Sequence, residues 1–271
     1  MLETSRRWRR EGHTIGLVPT MGALHAGHMS LVQQACQDNS RVVVSVFVNP
    51  TQFGPGEDLD RYPKSPERDL ELLHQAGVAA VYRPGAAVMY PPGAATRVRV
   101  LRVAEPLEGA ARPGHFEGVA TVVAKLFNAT EPDRAYFGQK DAQQVAVVKR
   151  LAADLDTGVE ICVCPTVREA DGLAMSSRNA YLGEAERKAA VCISAALRQA
   201  ARAYRAGERN LDSLRLRILD AVEAETLARV DYAELVDPEA FTPPGTLAVL
   251  AVWIGKTRLI DNHDVAQAFP G

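Results

Sequence analysis

No run of apolar residues in the 271-residue sequence approaches the roughly 20 needed to cross a bilayer. The Arg-rich start, Arg6-Arg7-Trp8-Arg9-Arg10, lacks the apolar core of a secretory signal, so the chain is expected to be soluble and cytoplasmic. Cysteine is scarce: Cys36, Cys162, Cys164 and Cys192 form no CxxC pair and no zinc-type spacing, which points to a reduced chain without staples. Cys162 and Cys164 alternate, as two buried apolar side chains on one face of a strand do. Neither sign of charge prevails, with 31 basic against 33 acidic residues, which excludes an extended nucleic-acid surface or an acidic tail. The short basic run at 6–10 reads as a solvated helix face. Repeats and low-complexity tracts are also missing, which removes solenoids and linkers from consideration. What remains is a chain that is 47% apolar and long enough for one large domain or two ordinary ones.

Strand-like and helix-like segments alternate through its first two thirds. Residues 3–11 read as a helix stopped by Gly12, 14–18 as a short buried strand, 28–38 as a helix, and 41–48 as a β-branched strand. The polar stretch 49–65 has the length of a functional loop. Ser65 suits the N-cap of a helix over 66–76 that Gly77 ends, and a strand follows at 78–82. Residues 97–103 alternate basic with apolar, as an edge strand with one wet face does, and 108–114 read as a mobile stretch. Further on come a helix over 116–128, a strand at 133–137, a turn at 138–141, a helix over 142–155 and a strand at 159–163. Residues 166–168 and a loop over 169–179 close this part. From Glu184 the texture changes to Ala- and Arg-rich helices over 184–206 and 211–228, then strands at 230–236, 247–254 and 257–260. This organisation predicts a parallel α/β domain over 1–181, binding ligands at the carboxyl ends of its strands, and a small α+β domain over 182–271.

The first strand and second helix are joined by Pro19-Thr20-Met21-Gly22-Ala23-Leu24-His25-Ala26-Gly27-His28. Two imidazoles around a glycine, the second where the helix should begin, suit an anion held at a helix N-terminus, most simply a phosphate. Gly27 lets the main chain approach that group. Metal binding is the rival, and the sequence offers no evident third ligand of the zinc type. The segment resembles the HxGH signature of nucleotidylyltransferases. Together with VFVNPTQF, LEGAARPGHFEGV, YFGQKDAQQ, DGLAMSSRNAYL and AVWIGKTRLIDN, in that order from about residue 12 to residue 262, it makes the whole chain resemble the pantothenate synthetase family. The resemblance implies a Rossmann-like nucleotide-binding domain with a smaller α+β C-terminal domain, acting as a homodimer. The implied reaction condenses pantoate with β-alanine, driven by ATP and Mg²⁺ through a pantoyl adenylate, and releases AMP and pyrophosphate. Two rivals stand beside it: another HxGH nucleotidylyltransferase, which would not release AMP in a β-alanine-dependent way, and a non-catalytic nucleotide-binding protein on the same fold.

Attack of a carboxylate on the α-phosphate needs alignment and hydrogen-bond donors, the role given to His25 and His28. Ser176, Ser177 and Arg178 form a compact donor set for the leaving pyrophosphate, and Lys140 adds a mobile point charge. The resemblance further implies that Gly138 and Asp141 lie at the ribose and Met175 near the adenine. Val167, Met21, Gly27 and Asn49 complete the nucleotide set, with Asn49 reaching the phosphates. Gln52 and Gln144 would hold pantoate, Gln144 sharing a helix face with Lys140, while Pro19, Thr20, Met21 and Phe47 line the acid's pocket. Asp69 matches an acidic position that could hold Mg²⁺, although the ion also arrives with ATP. Residues 108–115 are read as a lid.

Overall fold

The computed structural model describes residues 1–270 and separates into two compact units, residues 1–138 with 143–164, and residues 139–142 with 165 onward. The boundary expected near 182 therefore falls at 164/165. Residues 165–181 belong with the second unit because Leu173 is buried in its core.

The first unit runs α1 (Leu2–Arg10), β1 (Ile15–Thr20), α2 (Ala26–Asp38), β2 (Arg41–Val46), α3 (Pro66–Gln75), β3 (Ala80–Tyr82), α4 (Ala86–Met89), α5 (Glu108–Ala111), α6 (His115–Thr130), β4 (Arg134–Gly138), α7 (Ala142–Asp154) and β5 (Glu160–Cys164). All strand pairs are parallel, in the order β3-β2-β1-β4-β5. The central strands are apolar without alternation, as strands covered on both faces must be: Ile15, Leu17, Val18, Val43 and Val44 are fully buried. One face packs Leu31, Val32 and Ala35 of α2 and Leu73 of α3 against the sheet, and Cys164 lies in this cluster with Cys162 against it. Both cysteines are therefore packing residues, as their alternation predicts. The strand order reverses between β1 and β4, and the crevice outside their carboxyl ends is where sheets of this kind bind ligands.

Three expectations change here. The basic run of α1 is anchored rather than merely solvated, because Arg6 pairs with Glu131 at 2.9 Å and Arg9 with Asp133 at 3.0 Å. Residues 97–103 form no strand; they meet α6, with the Val98 N–H donating to Thr121 Oγ1 at 3.0 Å and Val100 and Val103 buried, and Arg102 turns the chain with φ +61°. Alternating polarity is satisfied as well by a segment packed on a helix as by a strand, and β3 and β5 are the true edges. Residues 108–111 are helical, and Arg112 ties the stretch down by pairing with Glu57 at 2.7 Å.

The second unit contains α8 (Glu184–Ala189), α9 (Val191–Arg205), α10 (Leu211–Glu223), β6 (Ala228–Val236), β7 (Leu247–Ile254) and β8 (Thr257–Asp264). The helix expected over 184–206 is interrupted at Ala190, and α10 stops at Glu223 so that the chain can turn into β6. The antiparallel sheet, in the order β6-β7-β8, is covered by α9 and α10 through Ile193, Leu197, Leu214, Ile218, Leu250 and Ile254. Among the described residues no helix is long and apolar enough to cross a membrane.

Candidate active site

Beyond β1 the chain reverses sharply. The Thr20 hydroxyl donates to Ser45 O at 2.7 Å and accepts from the Gly22 N–H at 3.2 Å. Gly22 has φ +87° and Ala23 φ +51°, left-handed conformations that need outside support at the alanine. Asp69 on α3 supplies it: Oδ2 accepts from Ala23 N and Oδ1 from Leu24 N, both at 2.9 Å, in a side chain only 3% exposed. Both carboxylate oxygens thus anchor the loop backbone, and each keeps a further lone pair, so the metal role expected of Asp69 is a separate matter from this anchoring one. Among the described residues no group of three or more His, Cys, Asp or Glu is placed to hold a metal ion. Ser65 stands at the N-cap of α3, but its hydroxyl makes no capping bond.

Helix α2 begins at Ala26 with His25 as its N-cap, not at His28. The two histidines form a reciprocal capping box: His25 Nδ1 accepts from the Gly27 N–H at 3.1 Å, and His28 Nδ1 accepts from the His25 N–H at 3.4 Å. Their ring centroids are 4.0 Å apart. A nitrogen that accepts carries no proton, so each neutral ring holds its proton on Nε2 and presents that edge as a donor. The HxGH spacing thus fixes the tautomer of both rings. It also engages the Gly27 N–H within the capping box.

The loop after β2 is organised by Asn49, which is 1% exposed. Its Nδ2 donates to Gln52 Oε1 and Gly118 O, each at 3.1 Å, and its Oδ1 accepts from the Tyr90 hydroxyl at 2.8 Å and the Thr51 hydroxyl at 2.9 Å. These bonds give the amide a part in shaping the loop; the phosphate contact expected of Asn49 is a separate role. Gly118 explains itself, since a Cβ there would lie 2.4 Å from Thr51 O. Gln52, held by Asn49 on one side, points Nε2 at the Met21 thioether 3.1 Å away. Phe47 is buried beside this loop, with its ring centroid 6.3 Å from that of Tyr90.

Behind Gln52 lies a network that sequence reasoning missed. His115 is 8% exposed; its Nδ1 donates to Gln52 O at 2.8 Å, and its Nε2 accepts from Arg112 at 3.2 Å. Burial first, and the Arg112 charge second, push its pKa down to about 4. Burial acts to raise the Glu57 carboxyl, but the two-pronged bond from Arg112 outweighs it and leaves the group below its usual range. The GHFEGV segment, which contains His115, was the available signal. The two glutamines of KDAQQ divide their tasks: Gln143 is buried and clamps Val103 O and Pro106 O at 2.8 Å, whereas Gln144 is half-buried and, among the described residues, makes no side-chain hydrogen bond. Lys140 lies in a 3-10 turn (Gln139–Asp141) ahead of α7, so it does not share that helix with Gln144.

In the second unit, Lys140 Nζ is 3.7 Å from Asp141 and its side chain is 20% exposed. Residues 167–175 fold back on themselves: Met175 N donates to Val167 O at 2.9 Å, and Arg168 bridges Ala174. Ser176 then caps a 3-10 turn (Ser177–Tyr181), its Oγ accepting from the Arg178 N–H at 3.2 Å. Val167 and Met175 therefore close a short hairpin that leads directly into the turn carrying Ser176, Ser177 and Arg178.

The family described as pantoate-β-alanine ligase matches residues 1–264. A pantothenate synthetase of Pelotomaculum thermopropionicum is 53% identical over 268 residues, covering 97% of this chain and 95% of its own. The crystal structure of pantothenate synthetase from Thermus thermophilus superposes with a TM-score of 0.91 at 47% identity, over 94% of both chains. A pantoate-β-alanine ligase from Francisella tularensis, solved in complex with β,γ-ATP and β-alanine, gives a TM-score of 0.83 at 37% identity over 99% of this chain and 97% of that one.

Proposed function

The chain belongs to the pantoate-β-alanine ligase family, and from that premise we propose how its own residues carry out the ATP-dependent joining of pantoate to β-alanine. The pantoate carboxylate attacks the α-phosphorus of ATP, the bond to the bridging oxygen breaks, and pyrophosphate leaves. The amine of β-alanine then attacks the acyl carbon of the adenylate, loses a proton and expels AMP. No protein atom needs to enter either bond.

The reciprocal capping box carries the assignment of His25 and His28. It supports two Nε2–H donors for the non-bridging oxygens, where charge builds as the α-phosphate is attacked. Helix α2 itself fixes the tautomers, so each ring keeps its proton on the Nε2 edge. Gln52 suits pantoate because a thioether is a weak acceptor, so an oxygen of the acid can replace it at the Nε2–H at small cost. Gln144 offers a second amide, and Pro19, Thr20, Met21 and Phe47 form the apolar wall. Lys140, Ser176, Ser177 and Arg178 receive the pyrophosphate, Gly138 and Asp141 the ribose, and Val167 and Met175 the adenine; the resemblance of these segments to the family supports this division. Mg²⁺ would enter with ATP, with phosphate and water oxygens as its main ligands, while Asp69 anchors the loop through backbone N–H groups. The same resemblance supports a homodimer working in the cytoplasm.

Pyrophosphate and AMP release, measured with pantoate and β-alanine added separately and together, tests the sequence of steps. Pantoate alone should support exchange of labelled pyrophosphate into ATP without sustained AMP release, and β-alanine should switch AMP release on. Equal AMP release without β-alanine refutes the ligase reading.

A further inference from the structure

The motif AVWIGKTRLIDN is absorbed by none of these roles, and its last two residues, Asp261 and Asn262, are buried in the middle of β8 at 3% and 5% exposure. Asn262 Nδ2 donates to both Gln139 O and Lys140 O at 2.9 Å, and its Oδ1 accepts from Gln139 Nε2 at 3.2 Å. Both donors and the acceptor are thus directed at one turn. Asp261 is aimed the other way, as successive strand residues are. Its Oδ2 accepts from Arg168 Nη1 at 2.6 Å and its Oδ1 from Arg168 Nη2 at 3.0 Å, with a third bond from the Asn262 N–H at 2.8 Å. Arg168 in turn donates to Gly172 O at 3.1 Å and bridges Ala174.

We propose that Asp261 and Asn262 are positioning residues for ATP: Asn262 fixes the turn that carries Lys140, and Asp261, through Arg168, fixes the hairpin that leads into Ser176–Arg178. This rests on the assignment of those residues to the nucleotide given above. The physical need is plain. A lysine ammonium on a four-carbon stem goes where its backbone lets it go, and the three-residue turn at 139–141 has no strand ladder to hold it. All eight residues of β8 are paired with β7, a regular ladder that the turn lacks. One strand thereby sets the spacing between two cationic segments that act on one polyphosphate.

Asn262→Ala and Asn262→Ser, the serine keeping one donor, should raise the KM for ATP by about tenfold and about threefold respectively, with the KM for pantoate unchanged. In the Lys140→Ala background the added effect of Asn262→Ala on the ATP KM should vanish, because the two residues act as one. Asp261→Asn should raise the ATP KM without this dependence on Lys140. Should Asn262→Ala fail to fold, Gln139→Ala removes only the reciprocal bond and should still raise the ATP KM by about twofold. Equal rises in the ATP and pantoate KM, or additive effects of Asn262→Ala and Lys140→Ala, overturn the clamp alone. An unchanged ATP KM and kcat in Lys140→Ala overturns the nucleotide assignment, and the clamp with it.

Discussion

His115 offers the sharpest quantitative test of the site's construction, because its depressed pKa converts directly into pH-dependent stability. Folded, the buried ring between Arg112 and the Gln52 carbonyl titrates at about 4, against 6.5 for the ordinary side chain. The folded value lies below the unfolded one, so the unfolded chain binds the proton more tightly. Stability is therefore full above the unfolded pKa and falls as pH drops from there toward the folded value. The whole shift corresponds to about 3 kcal/mol, of which about 2 kcal/mol should be lost between about pH 7.5 and about pH 5. Glu57, with its pKa below the carboxylate range, loses its contribution only at lower pH and leaves this window clear. The chain has two tryptophans, Trp8 and Trp253, and Trp8 is buried in the same unit as His115. Urea unfolding followed by Trp8 fluorescence in a Trp253→Phe background thus reports the right unit. His115→Gln should be less stable at every pH, yet its stability should decline less than the parent's over this window by the same ~2 kcal/mol. Parallel declines for the two proteins would show that His115 is not held neutral by burial. Protonation also removes the Nε2 acceptor facing Arg112, so the KM for pantoate should rise on the acid side in the parent and stay flat in His115→Gln.

The remaining predictions concern groups whose roles the loop geometry separates. His25→Ser keeps an N-cap oxygen for α2 while removing the imidazole, so kcat should drop by about two to three orders of magnitude with Tm nearly unchanged; a parallel collapse of Tm and kcat would assign His25 to capping alone. Asp69→Ala leaves the Ala23 and Leu24 N–H groups without their acceptor and should cost about 2–4 kcal/mol of stability, whereas the Mg²⁺ concentration for half-maximal activity should not move; a raised Mg²⁺ requirement would support the metal role. Gln144→Ala should raise the KM for pantoate and leave that for ATP alone, and Asn49→Ala should do the same through Gln52 with an added loss of stability. Equal effects on both substrates in either variant would remove that residue from the acid's side of the site.

Much of this molecule is legible in its sequence because the signals are local. The apolar runs of β1 and β2 announce strands buried on both faces, Gly77 stops α3 where expected with φ +76°, and the spacing of His25, Gly27 and His28 encodes a capping box over one helical turn. The motif order identifies the family for the same reason: residue types and spacings carry the chemistry. What the sequence alone could not decide is which polar groups are free to meet a ligand. Asp69 reads only as a ligand until two backbone N–H groups, 45 and 46 residues earlier, are seen on its carboxylate. Asn49 reads only as a phosphate contact until Gly118, 69 residues on, is found on its amide. Asn262 lies just past the strand read at 257–260 and shows no task until its amide is found on the turn of Lys140, 122 residues away. A hydrogen-bonding group binds a ligand or the protein according to what lies within about 3 Å of it, and that neighbourhood is set by the packing of distant segments. The local sequence determined the strands, the turns and the reacting groups; the tertiary structure decided which groups hold the site in shape and which are left for the substrates.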